Sequence, residues 1–406
     1  MSTTPVHLIV GAGQAAGYAA VAMREAGFLG RIVMAGEEPH RPYDRPPLSK
    51  EMLATDPEPP IAFFHDAARY AELSIEVRPG ARVAAVDPAR RRATLATGEM
   101  LPFDRLLFAT GSRPRRLDIP GGDRILYLRT IEDARRIRAC LTPGARILCI
   151  GAGVIGLEIA ASARKRGCAV TVIEAAGGAM GRMLTHEMAE YMVRLHRANG
   201  VTLFFDATVG AIEGRRILCN NAPELEADCV IAGIGVLRNS ELAAAAGIAV
   251  DRGILTDAHG RTSAGDIFAA GDVAAFWHPL FGRHLRLECW RHAQNHGIAV
   301  GRVMAGGSEP YDDIPWFWTD QYGLNVQVAG LPEQTARTVL RGEMGAASFA
   351  AFHLDAEDRV VAATGVNAAR EVRAAQAMIR AGKPVDPAAL ADPKMQLQRL
   401  VATLRG

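Results

Sequence analysis

The hydrophobic pattern near the N-terminus is a short apolar run that ends in glycines and passes directly into an alanine-rich helical pattern. The run covers His7–Val10, the glycines lie within Gly11–Gly17, and the helical pattern covers Ala19–Ala26. A second apolar run, Arg31–Gly36, ends at Glu37. This order predicts a strand, a tight turn, a helix and a second strand, the context in which a glycine loop binds a dinucleotide.

Three small residues of this loop have separate physical roles. Gly11 permits the tight turn, and Gly13 lets the backbone approach a pyrophosphate closely. Ala16 is small enough for the helix to pack against the strand. The first turn of the helix then directs its N–H groups at the phosphates.

The same order of elements recurs in the middle of the chain. Ile147–Gly156 is followed by a predicted helix over Leu157–Arg166 and a predicted strand over Ala169–Ile173. Glu174 follows that strand, where a carboxylate accepts hydrogen bonds from a ribose 2′-hydroxyl and repels a 2′-phosphate, so NADH is favoured over NADPH. Two such units predict that the chain binds two dinucleotides, or one dinucleotide and a flavin dinucleotide. The glycines of the second loop are Gly151, Gly153 and Gly156.

Several segments outside the two glycine loops also have interpretable patterns. Three short alternating segments predict a small antiparallel insertion. The proline-rich stretch Arg41–Lys50 predicts extended chain, with Ser49 capping a helix that starts at Lys50. A buried strand ends in Thr110-Gly111, and a later one ends in Gly271-Asp272, where Asp272 either accepts hydrogen bonds from hydroxyls or caps a helix. The alternating segments are Ser74–Val77, Arg82–Asp87 and Arg92–Ala96.

Composition and charge exclude several classes of protein. A net charge of +2 on 406 residues argues against a nucleic-acid partner. No apolar run reaches the roughly 18–20 residues that span a bilayer. The chain passes from Met1 into a strand without room for a signal peptide, so we expect a cytoplasmic protein.

The chain shows no local metal or dithiol spacing. Its six cysteines occur singly, without C-x-x-C or C-x-x-x-x-C spacing. His292 and His296 stand four residues apart, as in some metal sites, but no third ligand accompanies them. We therefore expect no metal.

The order of the motifs resembles that of the oxygenase-coupled NADH-dependent ferredoxin reductases. The motifs are the first glycine loop, Arg41–Lys50, Ala109-Thr110-Gly111, the second loop with Glu158, and Ala269-Ala270-Gly271-Asp272. The resemblance covers essentially the whole chain. Two segments resemble reductases of aromatic-ring dioxygenases more than those serving cytochrome P450, namely Gly153–Glu158 and Ala293–Gly297.

This resemblance implies an α/β protein of the glutathione-reductase type, with two Rossmann-like dinucleotide-binding domains and a C-terminal α+β domain. The FAD domain is then discontinuous, in residues 1–110 and 237–312. The NAD domain occupies residues 111–236, and the C-terminal domain residues 313–406.

The resemblance also implies roles for individual residues. FAD lies on the first loop with Glu37 on its ribose and Asp272 on its ribitol chain, and NADH lies on the second loop with Glu174. Lys50 supplies positive charge near flavin N5, and Glu158 pairs with Lys50 beside the nicotinamide. Further cofactor contacts are assigned to Arg45, Thr110, Gly111, Trp290, Gly235 and Trp318.

Some of these residues have a plainer interpretation. Glu158 could be a first-turn carboxylate favoured by the helix dipole. Trp290, Trp316 and Trp318 either flank the flavin, with Trp318 counted among the catalytic residues, or form an interface between domains.

The implied activity is hydride transfer from NADH to FAD, followed by single-electron transfer to a [2Fe–2S] ferredoxin, which we expect to be of the Rieske type and to serve a terminal oxygenase. Without a dithiol at local spacing, the chain cannot work as glutathione- and lipoamide-type reductases do. Three alternatives stay open: a reductase of a P450-type ferredoxin or of rubredoxin, an NADH oxidase, and a flavoprotein that uses the fold for binding, as apoptosis-inducing-factor-like proteins do.

Overall fold

The computed structural model describes residues 4–405, which divide into two compact units. The assignment of the chain to FAD, NAD and C-terminal domains stays a prediction. None of the described helices is long and apolar enough to cross a membrane. The first unit consists of the chain up to Asp44, Ile61–Arg113 and Val236–Asp313, and the second consists of Arg45–Pro60, Pro114–Gly235 and the chain from Ile314.

Strands make up both parallel and antiparallel sheets. In chain order they are β1 (Val6–Val10), β2 (Arg31–Ala35), β3 (Ile75–Arg78), β4 (Val83–Asp87), β5 (Arg92–Leu95), β6 (Met100–Pro102), β7 (Arg105–Phe108), β8 (Ser112–Pro114), β9 (Leu126–Tyr127), β10 (Arg146–Ile150), β11 (Ala169–Ile173), β12 (Val201–Phe204), β13 (Thr208–Glu213), β14 (Arg216–Asn220), β15 (Leu225–Glu226), β16 (Cys229–Ala232), β17 (Val236–Arg238), β18 (Ile254–Thr256), β19 (Ile267–Ala269), β20 (Ala274–His278), β21 (Arg283–Leu285), β22 (Trp316–Gln321), β23 (Leu324–Gly330), β24 (Arg337–Arg341), β25 (Phe349–Leu354) and β26 (Val360–Val366).

The helices are mostly short and connect the strands. They are α1 (Gln14–Glu25), α2 (Glu51–Ala54), α3 (Ala67–Glu72), α4 (Ile131–Cys140), α5 (Val154–Lys165), α6 (His186–Ala198), α7 (Glu241–Ala245), α8 (Trp290–Met304), α9 (Ala369–Ala381), α10 (Pro387–Ala391) and α11 (Leu397–Arg405). Short 3₁₀ helices occur at Pro46–Ser49, Gly122–Arg124, Gly271–Val273 and Pro332–Gln334.

The first unit is built on a parallel five-stranded sheet in the order β19–β7–β1–β2–β3. Its central strand is apolar on both faces, with Leu8 and Ile9 fully buried, as expected for a parallel strand covered on both sides. The first glycine loop follows the carboxyl end of this strand. The prediction that Ser74–Val77 belongs to an antiparallel insertion is wrong, because β3 pairs in parallel with β2; the antiparallel sheet is β4–β5–β6.

Two helices of the first unit pack closely through small residues. Gly297 and Gly301 of α8 lie against α1, and a Cβ at these positions would come 2.4 Å from the carbonyl oxygen of Ala15 and 2.5 Å from that of Ala19. Such distances are far below van der Waals contact. The backbones of α1 and α8 therefore approach as closely as they do only because neither glycine has a side chain.

The second unit contains a parallel five-stranded sheet in the order β12–β11–β10–β16–β9. Helix α5 begins at Val154, inside the second glycine loop, and not at Leu157 as predicted. Glu158 therefore lies in the second turn, and the first turn of α5 contains no acidic residue. The interpretation of Glu158 as a first-turn carboxylate is wrong for this reason.

An antiparallel sheet in the order β22–β23–β26–β25–β24 forms the C-terminal part of the second unit, with α9 packed on it. Strands β22 and β23 are joined by the two-residue turn Tyr322-Gly323, with φ of +52° and +76°. These positive values match a type I′ hairpin turn, whose usual residues are Asn-Gly.

The end of the proline-rich stretch Arg41–Lys50 differs from its prediction as extended chain. Pro46–Ser49 forms a 3₁₀ helix, and the prolines occupy its first turn, where a missing N–H costs nothing. Lys50, and not Ser49, is the N-cap of α2, and it makes no side-chain capping bond. The hydroxyl of Ser49 is used elsewhere, as described below.

The close packing of α1 and α8 predicts that Gly301→Ala lowers the free energy of unfolding by about 1–3 kcal/mol, because the added methyl group must push two backbones apart. Thermal and urea denaturation measure this change. Gly265→Ala is the control, since a Cβ there meets nothing within 4 Å. Equal stabilities of the two variants would contradict the proposed packing constraint.

Candidate functional site

Both glycine loops combine a tight turn with open space above the backbone. Gly11 and Gly151 have φ of +114° and +101°, and a Cβ on either would lie 2.2 Å from the Ala109 carbonyl oxygen or 2.5 Å from that of Gly233. In contrast, a Cβ on Gly13 meets nothing within 4 Å, and one on Gly153 meets only the Gly233 carbonyl oxygen at 3.8 Å. The first glycines are needed by the protein, whereas the second ones leave room for a ligand.

The helices that follow the loops have unsatisfied N-termini. Helix α1 is capped by Gly13 and α5 by Gly153, neither provides a side-chain cap, and neither first turn contains an acidic residue. Their first N–H groups and positive dipole ends favour an anion. The third small residues, Ala16 and Gly156, are buried within these helices. Both loops therefore fit the pyrophosphate of a dinucleotide.

Each parallel sheet carries a carboxylate after its second strand. Glu37 follows β2 by two residues; its side chain is 74% exposed and lies 3.7 Å from Arg82 Nε. Glu174 directly follows β11, and its two carboxylate oxygens accept the backbone N–H groups of Ala152, at 2.7 Å, and Ala176, at 2.8 Å. These bonds fix the orientation of Glu174 and still leave lone pairs for hydroxyl donors.

Thr110 and Gly111, at the end of β7 in the first unit, are tied to Asn239. The Thr110 hydroxyl donates to the Asn239 carbonyl oxygen at 2.7 Å, and Asn239 Nδ2 donates to the Thr110 carbonyl oxygen at 2.8 Å. Gly111 has a φ of +62°. Asp272 lies within a 3₁₀ helix capped by Ala270, so it does not act as a cap itself; it accepts the Ser112 hydroxyl at 3.0 Å.

Trp290 begins α8 and is oriented by two polar contacts. Its indole N–H donates to Asp44 Oδ1 at 2.6 Å, and its carbonyl oxygen accepts Gln14 Nε2 at 2.8 Å. Burial raises the pKa of Asp44, and the hydrogen bond from Trp290 partly offsets this rise. Gln14 is the first residue of α1, so Trp290 lies close to the first glycine loop.

Arg45 and Gly235 belong to the second unit. Arg45 Nη1 donates to the carbonyl oxygen of Arg129 at 2.5 Å. Gly235 has a φ of +95°, and its carbonyl oxygen accepts the N–H of Arg115 at 3.0 Å.

The second unit buries an ion pair between Lys50 and Glu158. Lys50 Nζ lies 2.9 Å from Glu158 Oε1, and the side chains are 14% and 2% exposed. Glu158 Oε1 also accepts the Thr319 hydroxyl at 2.6 Å, and Oε2 accepts the Ser49 hydroxyl at 2.5 Å. One cation and two hydroxyl donors thus compensate a carboxylate that would be very costly to bury alone.

Two tryptophans lie beside this ion pair. Trp318 stacks on Trp316 with ring centroids 5.5 Å apart, and its ring centroid lies 6.0 Å from Lys50 Nζ. The indole N–H of Trp318 donates to Asp320 Oδ2 at 2.9 Å. Trp318 is therefore held next to the only described lysine that is mostly buried.

Hydrogen bonds extend from Thr319 further into the second unit. Gln321 Nε2 donates to Thr319 Oγ1 at 2.9 Å, Gln321 Oε1 lies 2.6 Å from His196 Nε2, and His196 Nδ1 lies 3.2 Å from the Tyr322 hydroxyl. Burial lowers the pKa of His196 to about 4, so the imidazole is neutral near pH 7.

His292 and His296 lie on the buried face of α8 in an aromatic cluster. His292 Nδ1 lies 3.1 Å from the Tyr311 hydroxyl, and His296 stacks on the Tyr311 ring with centroids 4.8 Å apart. Burial lowers the pKa of His292 to about 4 and that of His296 as well. Within residues 4–405, no group of three or more His, Cys, Asp or Glu side chains is arranged to hold a metal ion.

Sequence reasoning missed several residues that complete these sites. The hydroxyl of Ser49 was assigned to a helix cap, and Thr319 was not among the candidate site residues. Gln321 and His196 were not selected, because a lone glutamine or histidine in an apolar pattern has no local feature that marks it. Only their contacts across elements identify them.

The described geometry defines a class of protein. Each unit has a parallel sheet, a glycine loop with room above its second glycine and a following helix without a cap, and this is the arrangement of a dinucleotide-binding oxidoreductase. The buried Lys50 ammonium in the second unit adds a positive charge that can stabilise negative charge on a redox cofactor.

Comparison with known proteins agrees with this class. Residues 6–297 match the family described as pyridine nucleotide-disulphide oxidoreductase, and residues 316–401 match a reductase C-terminal domain. The anthranilate 1,2-dioxygenase system ferredoxin–NAD(+) reductase component of Burkholderia cepacia is 42% identical over 404 residues, which cover 98% of this chain and 99% of the relative.

Two further comparisons cover nearly the whole chain. The p-cumate 2,3-dioxygenase system ferredoxin–NAD(+) reductase component of Pseudomonas putida is 38% identical, over 96% of this chain and 97% of the relative. The crystal structure of the covalent putidaredoxin reductase–putidaredoxin complex superposes with a TM-score of 0.94 at 33% identity, covering 100% of both chains.

The chain belongs to the pyridine nucleotide-disulphide oxidoreductase family, with the glutathione-reductase-type fold that the sequence predicted. Its cofactors are FAD and NAD(H), which the two glycine loops fit.

The open space at Gly153 predicts that Gly153→Ala raises KM for NADH by about tenfold, the equivalent of one good hydrogen bond, because the new methyl group enters the space left for the ligand. Steady-state kinetics measure KM, while flavin content and thermal stability should stay unchanged.

Gly156→Ala provides the contrast, because its Cβ would lie 2.0 Å from the Gly151 carbonyl oxygen. This variant should lose thermal stability as well. If Gly153→Ala lost stability to the same extent, the space above Gly153 would be needed by the protein and not by a ligand.

Proposed function

We propose that the chain is an FAD-dependent NADH:ferredoxin oxidoreductase that passes single electrons to a [2Fe–2S] ferredoxin, of the Rieske type, in an aromatic-ring dioxygenase system. The observation that carries this proposal is the buried Lys50–Glu158 ion pair beside Trp318, in a chain with two glycine loops. The relatives from B. cepacia and P. putida support the partner, because both are named as reductase components of dioxygenase systems.

We assign the cofactors to the two loops as follows. The free space at Gly13 and at Gly153 supports a pyrophosphate on each. In the first unit, FAD would be held by Gly11, Gly13, Ala16, Glu37, Thr110, Gly111, Asp272 and Trp290. NADH would be held by Gly151, Gly153, Gly156, Glu174 and Gly235.

The redox chemistry belongs to bound FAD, which accepts two electrons together and releases them one at a time. The protein contributes charge and position. Lys50 keeps its ammonium group in a site where water is largely excluded, and there a positive charge favours nearby negative charge more strongly than it would in water. Glu158 holds that ammonium in one place, and Trp318 borders it.

We also place the protein in the cytoplasm. All six cysteines are free thiols in the structure, and free thiols fit a reducing compartment, where disulfides are rare.

The proposed activity predicts that the purified protein is yellow and that NADH reduces a Rieske ferredoxin faster than a P450-type ferredoxin, rubredoxin or oxygen. Spectrophotometric assays with each acceptor in turn measure these rates. A protein that binds no flavin would contradict the whole proposal. NADH consumption that is equally fast with oxygen alone would instead identify an oxidase, and a preference for the P450-type ferredoxin would change only the partner.

The role assigned to Lys50 predicts that Lys50→Met slows reduction of the bound flavin by NADH at least about tenfold, because the positive charge is lost from a partly dehydrated site. Stopped-flow absorbance measures the rate, and flavin content should be retained. Lys165→Met is the matched control, because Lys165 is exposed near the end of α5. Unchanged reduction kinetics in Lys50→Met would remove the role of Lys50.

A further inference from the structure

A chain of hydrogen bonds runs from Glu158 through Thr319 to Tyr322, and the donor and acceptor of each bond can be assigned, starting at Glu158. A carboxylate paired with Lys50 only accepts hydrogen bonds, and the Thr319 hydroxyl has a single hydrogen. That hydrogen therefore goes to Glu158 Oε1, 2.6 Å away. Thr319 must then accept at its other contact, 2.9 Å from the side-chain amide of Gln321, so an N–H of this amide faces Thr319.

The same reasoning fixes the remaining donors. Because the Gln321 nitrogen faces Thr319, its oxygen faces His196 Nε2 at 2.6 Å, and this nitrogen must carry hydrogen. The neutral imidazole then accepts at Nδ1, which leaves the Tyr322 hydroxyl, 3.2 Å away, as the donor. Each of the four groups donates toward Glu158.

We propose that Tyr322, His196, Gln321 and Thr319 form a one-directional row of hydrogen bonds, the Tyr322–Glu158 row, which orients the Glu158 carboxylate and so holds the Lys50 ammonium in position. The four side chains are positioning residues that act through Glu158. The inference rests on the proposed function in one respect, namely that Lys50 is the cation used by the flavin.

Because most of this row is buried, losing one of its hydrogen bonds leaves a polar group without a partner. Counted as whole residues, Thr319 and His196 are 0% exposed, Gln321 2% and Glu158 3%, so water cannot replace a missing partner. Thr319, Lys50 and Ser49 all present donors to Glu158. Turning the Thr319 hydroxyl away from Glu158 would require the whole row to reverse. The row therefore holds Glu158 as a fixed counter-ion of Lys50.

The backbone at Tyr322 gives independent support. Tyr322 has a φ of +52°, in the left-handed region that bulky residues avoid, at a turn position usually occupied by Asn or Gly. Its ring meets the His196 ring edge to face, with centroids 5.0 Å apart. A strained residue held by contacts with a buried histidine points to a function for those contacts.

The titratable groups close to the row are few. Lys50 and Glu158 face Thr319 at one end. At the other end, Arg164 and Cys149 act on the Tyr322 phenol, whose pKa is raised mainly by burial.

Gln321→Glu tests the direction of the row, because the two side chains have nearly the same shape. A protonated carboxyl at this position can donate to Thr319 and accept from His196, as the amide does. An ionised carboxylate instead takes the Thr319 hydrogen away from Glu158. Flavin reduction by NADH should therefore slow about tenfold as pH rises through the ionisation of the introduced carboxyl, with KM for NADH unchanged.

Stopped-flow measurements from about pH 5 to 9 cover the range in which a buried carboxyl ionises. Wild type and Gln334→Glu are the controls, since Gln334 is exposed in the 3₁₀ helix Pro332–Gln334. The same profile in Gln321→Glu as in both controls would overturn the row. Absence of NADH-driven flavin reduction in wild type would instead overturn the proposed function, so the two failures are distinguishable.

Two further measurements do not depend on that variant. Nitrogen-15 NMR should show His196 with hydrogen on Nε2 and none on Nδ1; the opposite tautomer would overturn the row even if the kinetics agreed. Thr319→Val should shift the flavin reduction potential and slow flavin reduction about tenfold at unchanged flavin content, and Thr319→Ser should restore both. A wild-type potential and rate in Thr319→Val would count equally against the proposal.

Discussion

The burial of the Glu158 carboxylate is the constraint on which the second unit depends. An isolated charge in this position would cost several kcal/mol, so donors must reach it from elsewhere in the chain. They come from Ser49 and Lys50 on one segment and from Thr319 on β22. One carboxylate on α5 therefore ties together three segments that are far apart in sequence. This need accounts for the grouping of Arg45–Pro60 with the second unit, although the chain on either side of it belongs to the first.

The two glycine loops have nearly the same backbone geometry but differ at the third small residue. In the second loop Gly156 cannot carry a Cβ, since it would meet the Gly151 carbonyl oxygen at 2.0 Å. In the first loop Ala16 carries one and is fully buried. What the two loops share is open space at Gly13 and Gly153 and a tight turn before them, whereas the third small residue only adjusts the packing of the helix.

Features set by local chemistry could be predicted from the sequence, and features set by distant partners could not. Both parallel sheets and both glycine loops follow from apolar runs with adjacent glycines. The alternating pattern of Ser74–Val77, however, fits a strand beside β2 as well as a strand of an antiparallel insertion. Only the pairing with β2 in the structure shows which sheet contains it. The use of Ser49 was missed for the same reason, since its partner Glu158 is 109 residues away. No local sequence pattern marks His196 as a site residue.

The sheet topology of the second unit determines where two of its free thiols lie relative to the second glycine loop. A hydrogen bond with Cys229 lowers the pKa of the Cys140 thiol to about 7. Cys229, however, begins β16, whereas the glycine loop lies beyond the carboxyl end of that sheet, where Ala232 pairs with Ile150. The rise over three strand residues separates the amino and carboxyl ends of β16 by roughly 10 Å. The Cys229 thiol and the Cys140 thiol bonded to it therefore lie at the amino ends of the strands of this sheet, away from the second glycine loop.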